Sequence, residues 1–150
     1  MGVMNWEKEG ANEYIVYPEG TYKVSITGYE ETTASTGTKQ IRWKASIIEP
    51  REYAGKPITI HTALTDKSLW RTARLVKGCG FSLKELGAME VGSAAFFRVL
   101  NNCVRRTSYW HLVVTLDNKQ RERNEVDDFR VDENQVIAEA IDDVPGFLKE

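Results

Sequence analysis

The stretch Lys39-Gln40-Ile41-Arg42-Trp43-Lys44-Ala45-Ser46-Ile47-Ile48 constrains this chain more than any other. It alternates with period two: Ile41, Trp43, Ala45 and Ile47 on one side, Arg42, Lys44 and Ser46 on the other. Successive side chains of a strand point to opposite faces, so the pattern predicts a long strand with one buried face and one basic, wet face. Such a strand anchors a core while presenting a row of cations. Lys and Arg sit outside in nearly all proteins, so an ordinary solvated face explains the row as well.

The flanking segments extend the pattern. Pro18-Glu19-Gly20 is a turn signal, and Tyr22, Val24 and Ile26 then alternate with Lys23 and Ser25, predicting a first strand over 21–29. Ile58 and Ile60, alternating with Thr59 and His61, predict a third. Thr65-Asp66 is a helix N-cap candidate. Leu69, Trp70, Ala73, Leu75 and Val76 follow as an apolar stripe, with Lys67, Arg71, Arg74 and Lys77 on the wet side. Gly78 and Gly80 end that helix, and Ser82–Leu86 adds a short helical turn.

A fourth strand is expected over Ala94–Val104 (Phe96, Phe97, Val99, Leu100). A fifth is expected over Tyr109–Leu116, with Trp110, Leu112, Val114 and Leu116 inward and Tyr109, His111 and Thr115 outward. Arg121–Val131 reads as a weak additional strand. Residues 1–17 read as an irregular arm or short helix, with a further helical turn near 137–141.

Three strands, a helix and two strands is the order of the OB-fold, a partly open five-stranded Greek-key barrel. An open sandwich with a covering helix fits the same pattern. OB-folds often bind oligonucleotides across strands two and three, which here carry Arg42, Lys44 and His61. Single strands are held by cations along the phosphates and by rings stacked on bases. The cation candidates are Lys23, Lys39, Arg42, Lys44, Arg98, Arg105 and Arg106, the last two in a turn expected to join strands four and five. The ring candidates are Tyr29, Tyr53, Tyr109 and His111. Trp43 and Trp110 alternate with the inward set and Trp70 lies on the helix stripe, so all three read as core; Trp43 joins the stacking set if it faces out.

Charge divides along the chain. Residues 125–150 hold nine acids and two bases, whereas residues 1–124 hold 18 bases and 13 acids. The division suggests a domain over 1–124 and an acidic C-terminal tail over 125–150, a plan that recurs in proteins handling nucleic acid. Hydrophobic residues at 41% and charged residues at 28% suit a globular domain. No apolar run approaches the ~20 residues of a membrane span, no signal-peptide layout opens the chain, and Trp6 breaks a myristoylation match. Cys79 and Cys103 read as reduced, buried thiols of a cytosolic protein. His61, His111, Cys79 and Cys103 lack zinc-site spacing, and no phosphate-cradling glycine loop or nucleophile elbow occurs. The expectation is a non-enzyme with neither metal nor cofactor.

Pro18, Gly20 and Tyr22, then Gly37, then Tyr53, Gly55 and Lys56, then Trp70 and Gly80 form an ordered pattern within residues 15–104. It resembles the phage-encoded single-stranded-DNA-binding proteins and similar phage replication and recombination proteins. The resemblance implies an OB-fold, single-stranded DNA as partner, a role in phage DNA replication, recombination or repair, and residence in the host cytoplasm. The run Asp142-Asp143-Val144-Pro145-Gly146-Phe147 resembles the Asp-Asp-Ile-Pro-Phe tip with which bacterial single-stranded-DNA-binding proteins dock partner enzymes. It implies partner contacts by Asp142, Asp143, Pro145 and Phe147, although Gly146 interrupts the motif and three residues follow Phe147. A protein-interaction adaptor without direct DNA contact is the alternative function, and exposed strand edges leave a homodimer open.

Overall fold

The computed structural model describes residues 2–4, 6 and 15–134. The helical turn expected near 137–141 and the tip residues Asp142, Asp143, Pro145 and Phe147 lie outside the described residues. Five strands form one antiparallel sheet: β1 (Gly20–Thr33), β2 (Lys39–Glu49), β3 (Pro57–Ala63), β4 (Thr107–Leu116) and β5 (Glu122–Val131), in spatial order β3-β2-β1-β4-β5. Three helices lie between β3 and β4: α1 (Leu69–Gly78), α2 (Leu83–Leu86) and α3 (Ala94–Cys103). A 3-10 turn, Arg51–Tyr53, links β2 to β3. The molecule is mainly β. Its sheet is not closed: β3 and β5 are edges that approach each other without pairing.

The expected inward sets of β1, β2 and β3 form the core, with Val24, Ile26, Ile41 and Trp43 fully buried beside Ile47, Ile58 and Ile60. The Trp43 indole N–H donates to the Thr62 hydroxyl at 3.0 Å, and the Thr72 hydroxyl of α1 donates to the same oxygen at 2.9 Å. One side-chain oxygen thus ties two strands to the covering helix. Gly78 lets the end of α1 seat on β4 and β5, because a Cβ there would lie 3.0 Å from both the Phe129 Cβ and the Ser108 hydroxyl. Tyr17 anchors the chain entering β1: it exchanges backbone hydrogen bonds with the Asn124 side chain, and its hydroxyl donates to the Pro57 carbonyl.

Several expectations are corrected. Ala94–Cys103 is a helix, not a strand. Val99, Leu100 and Cys103 are its buried residues, a spacing that lines one helical face, and the Ser93 hydroxyl caps it by accepting the Phe96 N–H. The weak strand over 121–131 is instead a full member of the sheet, pairing with β4 throughout. Residues 125–132 therefore belong to the body, and the division at 124 falls inside β5. Helix α1 is preceded by Ser68 rather than Thr65-Asp66, and the Thr65 carbonyl accepts from Ser68 and Leu69. Thr27 bulges out of the β1–β2 ladder, which turns Tyr29 inward against Trp43, where its hydroxyl donates to the Asn101 side chain. Val114 and Leu116 are exposed because β4 runs past β1 after Leu112, leaving only β5 beside them.

Candidate nucleic-acid interface

The outward row of β2 lies where the alternation places it. Arg42 is the register partner of His61 on β3 and of Glu30 on β1, and Lys44 faces Thr59 and Gly28. Neither cation lies under a helix; both keep substantial exposure. Glu30 reaches Arg42 at 3.1 Å and Lys44 at 3.9 Å. Exposed pairs of this kind contribute about 0–1 kcal/mol, so Glu30 tempers the row without sealing it. Lys39 opens the strand and is exposed.

Beyond His61 the unpaired edges of β3 and β5 enclose a cleft of about 520 Å³, lined by Gln40, Thr59, His61, Arg71, Arg123 and Glu125 among others. Gln40 and His61 come from the sheet, Arg71 from α1, which packs on both β3 and β5, and Arg123 from β5. Partial burial, with the Arg42 and Arg123 guanidiniums, holds the His61 imidazole below its ordinary value of 6.5. Burial is the largest of these causes, and the two guanidiniums act in the same direction. Arg123 also pairs with Glu125.

The other half of the outer face is charge-matched. Lys23 lies 3.9 Å from Glu49 and 3.5 Å from buried Asp132, His111 lies 2.6 Å from Asp127, and Arg130 lies 2.7 Å from Asp128. Burial raises the Asp132 carboxyl, but the Thr107 hydroxyl, the Asn134 N–H and Lys23 outweigh it and hold the group below its ordinary value. Tyr109 is half-buried beside Lys23, which stands 6.0 Å from the ring centroid. With β5 in the body, residues 1–132 carry 19 bases and 17 acids. The expected basic body thus narrows to a local excess on β2 and α1.

Three of the expected contacts are corrected. Trp43 is 0% exposed. Turning it outward would leave a large cavity, at a cost of about 3–5 kcal/mol, for a stack worth about 1–3. Tyr53 packs edge-on against Tyr17 and tilted against Tyr22. Arg106 is 2% exposed, its guanidinium 4.5 Å from the centre of the Phe81 ring, and the turn it shares with Arg105 joins α3 to β4 rather than two strands. The β4–β5 hairpin is Asp117–Arg121, where the Asp117 carboxylate accepts from the Lys119 and Arg121 backbone N–H groups. Arg98 is exposed on α3 and Arg105 is exposed at φ 76°; neither lines the cleft.

Three cleft and helix cations, Arg71, Arg74 and Arg123, were absent from the sequence-based set, as was Trp70. Trp70 is 51% exposed, not core, with Arg74 at 4.8 Å and Arg71 at 6.0 Å from its ring centroid. The wet-side positions of Arg71 and Arg74 were legible; the meeting of Arg71 with β5 was not.

Among the described residues no group of three or more His, Cys, Asp or Glu is placed to hold a metal ion, and no helix is long and apolar enough to cross a membrane. Fold and site together define a small, mainly β domain with a cationic cleft at the open edge of its sheet. The chain belongs to the family described as protein of unknown function (DUF669), whose model matches residues 5–89. The match takes in β1–β3, α1 and α2, and so Arg42, Lys44, His61, Trp70 and Arg71. No curated protein matches the chain.

Proposed function

We propose that this chain is a non-enzymatic protein that binds single-stranded DNA with little sequence preference. The observation that carries the reading is the convergence of Arg42, His61, Arg71 and Arg123 on one open face and cleft. A row of cations beside an open groove tracks a phosphate backbone without reading bases. We read the sheet as an open OB-type barrel. In support, β1 pairs with both β2 and β4, β3 and β5 approach at the opening, and the helices fall between β3 and β4. On this reading Arg42 and Lys44 neutralise phosphates over β2, with Lys39 extending the track. The resemblance to phage single-stranded-DNA-binding proteins supports a place in phage DNA replication, recombination or repair.

The test is titration of fluorescein-labelled oligo-dT with the full chain at low salt. Submicromolar to micromolar binding is expected, weakened at least severalfold by Arg42→Ala with Lys44→Ala while the thermal melt stays close to wild type. No binding at micromolar protein overturns the proposal.

One observation favours a second reading, a protein-interaction adaptor. An apolar groove of about 330 Å³ runs among the helices, lined by Leu69, Val76, Leu83, Met89 and Phe96 among others. Pull-downs with and without nuclease treatment separate the readings: an adaptor keeps its partners after nuclease, whereas co-purification through DNA is lost.

A further inference from the structure

We infer that Trp70, flanked by Arg71 and Arg74, is a stacking platform that takes a base from a single strand leaving the cleft. The inference rests on the single-stranded-DNA reading and extends it from the sheet onto α1. Trp43 and Trp110 are fully buried, whereas Trp70 leaves half its surface in water. The exposed indole presents a flat apolar face on which another ring can stack.

The surroundings specify that partner. From Lys67 to Lys77 the chain carries Lys67, Arg71, Arg74 and Lys77 and no carboxylate. Positions 70, 74 and 77 of α1 follow the three- and four-residue spacing of one helical face. Arg74 and Arg71 hold their charge over or beside the ring. A flat aromatic face edged by guanidiniums matches a nucleobase with phosphates on either side. Arg71 belongs to both surfaces: its guanidinium stands 6.0 Å from the centre of the Trp70 ring, and it lines the cleft with His61 and Arg123. Arg71 thus places the Trp70 ring beside the cleft, as the Arg42–His61 register pair places the β2 row beside it.

A purely structural cation–π pair would give Trp70 no part in affinity, and the experiment separates the two roles. Full-length protein carrying Trp6→Phe, which removes the other exposed indole among the described residues, is titrated with oligo-dT while its fluorescence is followed. Quenching on binding is expected, and Trp70→Phe in the same background should abolish it while keeping much of the affinity. Trp70→Ala should weaken binding about tenfold, and Arg74→Glu should weaken it with the indole intact. Both variants should melt close to the parent, because both side chains are exposed. If the parent binds and Trp70→Ala stays within about twofold of it, with the quench unchanged in Trp70→Phe, the platform is wrong and the sheet interface stands. If the parent does not bind, both readings fall together.

Discussion

Arg42 and His61 face each other across the β2–β3 ladder. Partial burial, the Arg42 guanidinium and the Arg123 guanidinium together lower the imidazole's pKa. The pair thus sets a permanent cation beside an imidazole whose charged form is disfavoured, and on the proposed reading an incoming phosphate would favour that form.

The pH dependence of binding follows. A phosphate beside His61 favours the imidazolium, so binding draws in a proton. Affinity for oligo-dT should rise as pH falls from about 7.5 through the ordinary histidine value of about 6.5. His61→Gln should flatten that rise. Stability of the free protein moves the other way. The folded pKa lies below the unfolded one, so the unfolded chain binds more protons in that window and stability falls as pH drops through it. Fluorescence anisotropy across pH for wild type and His61→Gln is the check; equal slopes would remove His61 from the interface.

Glu30 pairs with Arg42 and Lys44, so on the proposed reading it would compete with DNA for both. Glu30→Gln should tighten binding severalfold at low salt, with less than about 1 kcal/mol change in stability, because exposed pairs hold little energy. Weaker binding in Glu30→Gln contradicts the placement of the phosphate track on β2.

Thr62 accepts hydrogen bonds from both Trp43 and Thr72 inside the core. Thr62→Val leaves those donors buried without an acceptor and should cost about 1–3 kcal/mol in urea unfolding. Thr62→Ser, which keeps the oxygen, should cost less. A Val variant as stable as wild type would mean that the junction does not hold α1 on the sheet.

The boundary of the folded body is also testable. A chain ending at Asn134 keeps all of β5 and Asp132, which the Thr107 hydroxyl bonds at 2.6 Å. It should unfold cooperatively, and loss of 135–150, which hold four acids and one base, should strengthen DNA binding. A chain ending at Asn124 loses Val126 and Phe129 and should not fold. Cooperative unfolding of the shorter chain would contradict the assignment of β5 to the core.

The parts of the fold legible in the residue order were those governed by local alternation. Lys39–Ile48 shows its buried and wet faces directly, and β1 does so as far as Ile26. Alternation fails where geometry changes without a change in composition. The extra residue at Thr27 reverses Tyr29, and the adjacent pairs Phe96-Phe97 and Val99-Leu100 suit a buried strand as well as a helix until the Ser93 cap is seen. Trp70 directly follows Leu69 in sequence within the apolar stripe, and only the placement of α1 over β3 and β5 decides which of the two is covered. Arg42, Lys44 and His61 were legible as one face because a single ladder holds them. Arg71 and Arg123 joined the site only through closure of the chain, 52 positions apart in sequence.

The salt dependence of oligo-dT binding tests the central claim most directly. Single strands lose affinity with a slope of about −0.7 in log K against log salt for each phosphate neutralised. With Arg42, Lys44, Arg71 and Arg123 engaged, a slope of about −2 to −3 is expected, reduced by about one unit or more in Arg42→Ala with Lys44→Ala. A slope near zero, or one unchanged by those substitutions, would contradict a phosphate track across β2 and β3.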